Sequence, residues 1–387
     1  MAIVIVSEYV DDRQNSTGFY WDKFIKLLFE EFSEIKVIST KKSISLFRGP
    51  KSIEFIAVPS FEEKKTGPWP KRLVRIINSI SLFIYCAVYL KKRDILFCGT
   101  NPNVLYLLLG LLKTIKGYKC VTLVHDVFPE NMIVAKILKD NSTFYRFLKY
   151  ISNFSLSKSE EIICIGRDMV EIMQEKVEDI SKINYIPNFA PINQSKSEGQ
   201  IHLSKEITFS YFGNMGPLQG IGNFIEALSL VKRSNCSFLF SGEGLEKEAV
   251  RRACQKNSKH EMKFIDPSSF EKREQSLLAG DIAIIPLVKG MYGLAVPSKA
   301  YFSMAANKYL FVLGDENSEL HRMISENPGL GWFVRSNDIE GIARQIEIIC
   351  EEGIQKPPNK PLQVLSKDYS FNSISKKYVD IFSRLYK

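Results

Sequence analysis

Three turns in the second half of the chain have the residue types to hold an anion. Gly213-Asn214-Met215-Gly216-Pro217-Leu218-Gln219-Gly220 follows the apolar run Ile207–Phe212 and precedes a helical pattern. Gly242-Glu243-Gly244 follows Ser237–Ser241 in the same way. Gly290-Met291-Tyr292-Gly293, with Val296-Pro297-Ser298-Lys299, follows Asp281–Leu287. Glycines let the backbone approach a ligand closely, and the free N–H groups of a helix start attract phosphate. Ser298 is placed to N-cap a helix over Lys299–Ala306. Lys299 in its first turn opposes the helix dipole, a conflict that a bound anion would remove. One such turn is common. Three at the ends of successive strands describe a pocket for a nucleotide diphosphate. No Walker sequence occurs, and no Gly-x-Gly-x-x-Gly follows the first strand, so a dinucleotide cofactor is not expected.

In the first half, His125 and Asp126 end an apolar run read as the fifth strand. An imidazole there can bind or move a proton near neutral pH. The alternative is a histidine hydrogen-bonded at a strand end, with Asp126 capping the next helix. Asn15-Ser16-Thr17-Gly18, after the first strand, reads either as a ligand loop or as an ordinary helix cap. The chain has no Asp-x-Asp; Asp11-Asp12 reads as a solvated pair on a polar loop. No Ser/His/Asp elbow or His-x-x-x-His pair is present, and His202, His260 and His321 read as isolated and solvated. No metal site and no cofactor are expected.

These turns need parallel sheets to position them. Strand-like runs at Ala2–Val6, Ile35–Ser39, Ser52–Val58, Ile95–Cys98, Cys120–Val124, Glu161–Ile165 and Ile183–Ile186 alternate with helix-length segments. A second series is Ile207–Phe212, Ser237–Ser241, Lys263–Ile265, Asp281–Leu287 and Tyr309–Leu313. The strands are apolar throughout rather than alternating, the pattern of parallel strands covered on both faces. Ile186-Pro187-Asn188 and the polar stretch to about Lys205 read as a linker. The 387 residues then divide into residues 1–187 and 188–368, two Rossmann-like α/β domains facing across a cleft, with a C-terminal helix over 369–387 crossing back to the first. Ligands of such sheets bind beyond the carboxyl ends of the strands. Seven singly spaced cysteines speak against a disulfide scaffold and for a reducing compartment. No secretory signal is visible at Met1–Val6.

The charge is local. Lys and Arg number 52 against 43 Asp and Glu. Residues 64–119 hold eleven of the basic residues and one acid, Asp94, which accounts for the whole excess. A local excess beside apolar helices points to an anionic membrane surface rather than to nucleic acid. The uncharged run Ile76–Leu90 has fifteen residues, short of a bilayer span, and basic residues flank it. It reads either as a helix lying at a headgroup layer or as an internal helix with a basic rim.

These pieces together resemble the GT-B, two-Rossmann-domain retaining glycosyltransferases, specifically family 4. The resemblance is carried by Tyr211 to Gly216 with Gln219-Gly220, Ser241 to Gly244, Ala279-Gly280-Asp281 to Leu287, and Val296 to Tyr301 with Met304-Ala305-Ala306. Leu123 to Glu130 and Ile186-Pro187-Asn188 extend it over nearly the whole chain. The bacterial O-antigen and capsule branch, including N-acetylfucosaminyl transferases, is the most similar. The resemblance implies a nucleotide-sugar donor, held by Gly18, Gly213, Asn214, Gly216, Gln219, Gly242, Glu243, Gly244, Ser298 and Tyr301. It implies His125, Asp126 and Lys299 as catalytic residues, with Asn15 and Glu130 toward a lipid-linked saccharide acceptor. It also implies transfer with retained configuration, without metal, at the cytoplasmic face of the cell membrane. Many family members carry a glutamate where this chain has Phe302, which makes Lys299 the main cation for the diphosphate. Two rival expectations remain: a non-catalytic partner subunit of the same fold, and a nucleotide-sugar 2-epimerase.

Overall fold

A computed structural model describes residues 1–50, 52–61, 68–191, 207–232, 235–256, 259–266 and 279–386. The expected linker beyond Pro191, and His202, lie outside these residues. The chain forms two units. One comprises Met1–Ile133, Leu138–Ile186 and Ser375–Lys387, the other Val134–Ile137 and Pro187–Ile374.

The first unit holds a parallel sheet of seven strands in the order β3-β2-β1-β4-β5-β6-β7. These are β1 Ile3–Val6, β2 Ile35–Thr40, β3 Glu54–Val58, β4 Ile95–Gly99, β5 Lys119–Val124, β6 Glu161–Cys164 and β7 Ile183–Tyr185. The central strands β1 and β4 are buried along their whole length, which is why they read as unbroken apolar runs. Its helices include α1 Ser16–Glu31, α2 Lys41–Leu46, α3 Pro68–Tyr89, α4 Asn103–Lys116, α5 Glu130–Val134, α6 Thr143–Ser157 and α7 Arg167–Gln174. Leu82, Cys86 and Leu90 from α3 and its end pack with Leu105, Leu109 and Leu112 of α4 on Val4, Val6 and Leu96 of the sheet.

The second unit holds six parallel strands in the order β10-β9-β8-β11-β12-β13. These are β8 Ile207–Asn214, β9 Cys236–Glu243, β10 Glu261–Ile265, β11 Ile282–Pro286, β12 Tyr309–Gly314 and β13 Gly331–Arg335. Its described helices are α8 Ile221–Leu230, α9 Lys247–Lys256, α10 Lys299–Ala305, α11 Glu319–Glu326, α12 Ile339–Glu352, α13 Lys360–Asp368 and α14 Phe371–Leu385. Phe209, Phe224, Phe238 and Phe311 fill its core, Phe209 stacked on Phe238 and edge-on to Phe311, and Phe224 edge-on to Phe238. Each such buried side chain contributes about 1.5–3 kcal/mol. From Ser375 onward the last helix belongs to the first unit: Tyr378 packs on Phe24 and Phe97, and Phe382 on Phe97.

Several expectations change. Cys236 at the start of β9 and Cys350 near the end of α12 form a disulfide, with Cα atoms 5.9 Å apart. They are 114 residues apart in sequence, and only the parallel crossovers bring them together. His260 is buried, with Nε2 against the Leu228 carbonyl oxygen and its ring on Phe238. His321 accepts from the Asn317 N–H and packs on Phe333. Asp11 is also buried, paired with Arg13 at 2.9 Å, so of the Asp11-Asp12 pair only Asp12 is solvated. The uncharged run Ile76–Leu90 is the larger part of a 22-residue helix, α3. No helix among the described residues is long and apolar enough to cross a membrane.

Candidate functional site

The register of β8 on β9 sets Gly213 beside Gly242 and Asn214 beside Glu243. The first two Gly-rich turns therefore leave the sheet side by side. A Cβ on Gly242 would stand 2.0 Å from the Gly213 carbonyl oxygen, a clash no side chain survives. Gly244 has φ 148°, a left-handed backbone that favours glycine. The turns are laced by backbone bonds: the Met215 N–H donates to the Glu243 oxygen (2.8 Å) and the Glu246 N–H to the Met215 oxygen (3.0 Å). The third turn joins through the Val288 N–H, which donates to the Leu218 oxygen at 3.2 Å. Asp315, just beyond β12, holds that turn from behind; its carboxylate accepts from the Gly290 and Tyr292 N–H groups at 2.8 and 2.9 Å.

Lys299 reaches from the start of α10 into this cluster. Its Nζ donates to Gln219 Oε1 at 2.8 Å and to the Tyr211 hydroxyl at 3.0 Å. It lies 4.1 Å from the centroid of the Tyr211 ring. Its Cε is 4.0 Å from where a Cβ on Gly213 would stand. Among the described residues no carboxylate pairs with it, and burial pulls its pKa from 10.5 down to about 7. A cation held by neutral groups beside three turns is equipped to meet an anion.

No family model matches the chain. Over 388 aligned residues, 95% of this chain and 94% of that protein, it is 33% identical to the probable glycosyltransferase WbjE of Pseudomonas aeruginosa. The chain belongs to the glycosyltransferases. This glycosyltransferase is also 22% identical to the putative colanic acid biosynthesis glycosyl transferase WcaI of Escherichia coli, over about half of each chain. Among solved structures it superposes on sucrose-phosphate synthase of Thermosynechococcus elongatus with a TM-score of 0.75, covering 100% and 99% of the two chains at 11% identity. It superposes on Anabaena HepE in complex with UDP with a TM-score of 0.68, covering 99% and 100% at 11% identity. The lipopolysaccharide outer core galactosyltransferase WaaB gives 0.65, covering 99% and 100% at 12% identity. The fold is thus GT-B, as the sequence led one to expect.

Not every expected site residue joins the cluster. Gly213, Gly216, Gln219, Gly242, Gly244 and Lys299 belong to the laced turns. Asn214 keeps its side chain beside Gly216, and its carbonyl oxygen accepts from the Tyr211 hydroxyl. Ser298 makes no side-chain cap bond to α10. Its backbone is already helical, so the hydroxyl is not aimed at the N2 or N3 amide. Glu243 is exposed and pairs with Lys247 at 2.7 Å, one turn along. Tyr301 is fully buried in the core, edge-on to Tyr369.

In the first unit, Asn15 caps α1: its Oδ1 accepts from the Gly18 N–H at 2.8 Å. A Cβ on Gly18 would stand 2.2 Å from the Asp11 carbonyl oxygen, so glycine there fits a close backbone approach. Glu130 pairs with the buried Lys176, within hydrogen-bond reach of Asn153. His125 follows β5, with its backbone N–H bonded to Thr100 Oγ1 at 3.2 Å. Its ring sits edge-on to Trp21, and Gly99 leaves room beside it. Burial lowers its pKa to about 4, so near pH 7 it is a neutral imidazole that hydrogen-bonds rather than a group poised to exchange a proton. Its Nε2 and the Trp21 Nε1 are buried without a hydrogen-bond partner. Burial raises Asp126 to about 6. Sequence reading missed Trp21, Tyr211 and Asp315, the first two because aromatics in an apolar run look like core.

Proposed function

We propose that this glycosyltransferase is a retaining, metal-independent enzyme of family 4. It would move a sugar from a nucleotide-diphosphate sugar to a lipid-linked saccharide during surface polysaccharide synthesis. The observation that carries the reading is Lys299, a cation without a carboxylate partner among the described residues, beside Gly213 and held by Gln219 and Tyr211. Breaking the anomeric C–O bond leaves negative charge on the departing diphosphate, and a positioned ammonium with nearby backbone N–H groups stabilises it. His125, with its free Nε2, would hold a hydroxyl of the donor sugar. Asp126 would face the positive charge that builds on the ring. Gly18 would allow close approach to the donor, and Asn15 and Glu130 would act toward the acceptor through the backbone and the ion pair they fix. A uridine donor is favoured by the likeness to HepE, whose solved complexes contain UDP and UDP-glucose. The link to O-antigen or capsule building follows WcaI and WaaB, whose names place them in colanic acid and lipopolysaccharide synthesis. Residues 64–119 would hold the enzyme peripherally on the anionic inner face of the cell membrane.

The test is a thermal-shift screen against UDP, GDP and their sugars, followed by transfer to lipid-linked saccharides. A midpoint raised by one nucleotide series in wild type, and not in a Lys299→Met variant, supports the donor site. No shift with any nucleotide would remove it. Interconversion of a nucleotide sugar by the enzyme alone would favour the epimerase. Donor binding without transfer to any acceptor would favour the partner subunit.

A further inference from the structure

Helix α3 is apolar on two opposite sides, and the protein buries only one. Asn78, Leu82 and Cys86 point inward at four-residue spacing. Leu73, Ile77, Ile80, Ile84 and Val88 repeat on the other side and are exposed, Ile84 at 52% and Val88 at 68%. A surface helix ordinarily carries one apolar stripe, turned to the core; a second, outward one is suited to an apolar surrounding of its own.

The outer stripe continues on the neighbouring helices. Each of α3, α4 and α6 connects successive strands along β3, β4, β5 and β6, and α3 packs on α4 and α4 on α6. Right-handed crossovers place the three in one layer on one face of the sheet. On α4, Leu111 and Ile115 are exposed, the latter at 83%. On α6, Phe144, Phe147 and Tyr150 are exposed at three-residue spacing, Tyr150 at 71%. Twelve of the eighteen exposed large apolar side chains among the described residues lie on these three helices. The sequences of the three contain seven Lys and Arg and no Asp or Glu.

We propose that the outer face of α3, α4 and α6 is a single docking surface for an anionic lipid bilayer, with Phe144, Phe147 and Tyr150 as anchors at the headgroup layer. It deepens the membrane part of the proposed function, which involves only residues 64–119, and rests on that part alone. Aromatic side chains favour the headgroup boundary, where ring and polar edge are both satisfied. The charge decides between a bilayer and a second copy of the chain. A two-fold dimer through this face would set helices that carry no Asp or Glu, with the exposed Arg146, against their own copies, whereas anionic headgroups complement them; Lys113 and Lys149 are already paired, with Glu160 and Glu130. The apolar stripe between the cations disfavours nucleic acid.

The test is flotation of the full chain with phosphatidylglycerol–phosphatidylcholine vesicles and with pure phosphatidylcholine vesicles. Wild type is expected to float with the former only. Combined Phe144→Ala, Phe147→Ala and Tyr150→Ala, all outside residues 64–119, should lower partitioning by at least about tenfold. Arg146→Glu, at an exposed position, should lower it through charge. Both variants should keep the wild-type melting temperature and the wild-type nucleotide shift, so that failure here is separate from failure of the donor site. Unchanged flotation of the aromatic variant would overturn the role of α6. Equal flotation with neutral vesicles, or indifference to both, would overturn the anionic bilayer. So would a dimer in sedimentation velocity that the same substitutions dissociate.

Discussion

Replacing Lys299 by methionine should make the empty protein more stable and its nucleotide binding worse. The ammonium has two neutral partners, Gln219 and Tyr211, and burial lowers its pKa from 10.5 to about 7. The unfolded chain therefore binds more protons than the folded one between those values. The penalty on the fold is complete below pH 7 and fades as pH rises toward 10.5. The fall caps the penalty at ~5 kcal/mol. Residual solvent access to the side chain brings the expected gain for Lys299→Met at pH 6 to ~1–3 kcal/mol, read as a higher melting midpoint. For UDP the sign reverses. Losing a charge-assisted contact costs ~1.5–3 kcal/mol, or roughly 10- to 150-fold in affinity. Wild-type affinity should fall by up to about tenfold per pH unit above 7, because binding must then take up the proton the lysine has lost. The methionine variant should be weak and flat across the same range. Calorimetric titration with UDP from pH 7 to 9, beside thermal melts at pH 6, reads all of these. A Lys299→Met protein that binds UDP as tightly as wild type, with the same pH profile, would refute the reasoning.

Gln219→Glu should place a carboxylate on the Lys299 ammonium, raise its pKa, abolish the pH dependence and weaken UDP, because the cation is then already neutralised; the same titration checks it. Gly242→Ala should cost about 2–4 kcal/mol, since its Cβ would meet the Gly213 oxygen at 2.0 Å, and denaturant melts would read the loss. His125→Asn should retain the fold and lower the transfer rate by about 100-fold. Because burial sets His125 to about 4 while Asp126 and Lys299 lie near 6 and 7, the inflections of the rate between pH 5.5 and 8 should keep their positions in His125→Asn.

The parts of this fold that sequence made legible are those where burial is complete and local. β1 and β4 are covered on both faces, so their residues are apolar without alternation. The three Gly-rich turns were readable because close backbone approach forbids a side chain, and the Gly242–Gly213 contact is the clearest case. What stayed hidden depends on register and on partners distant in the chain. The Cys236–Cys350 bond needs β9 and α12 to be brought together by crossovers. The role of Tyr211 needs α10 to return over β8. Ser298 looked like a cap because its type is right, yet cap geometry is a matter of dihedral angles that residue type does not fix.

The helix dipole was the wrong reason for singling out Lys299. The sequence argument held Lys299 to be out of place because it stands at the positive end of a helix. α10 has seven residues, and the side chain does not stay beside its first turn; it extends to Gln219 and Tyr211, on another turn and another strand. The cation is costly because those partners are neutral and the place is buried, and its depressed pKa measures that cost. Were Lys299 structural, a carboxylate in place of Gln219 would be the cheap remedy. That a neutral amide stands there instead leaves the ammonium's charge available to a diphosphate, and Gln219→Glu asks whether the enzyme tolerates its being satisfied.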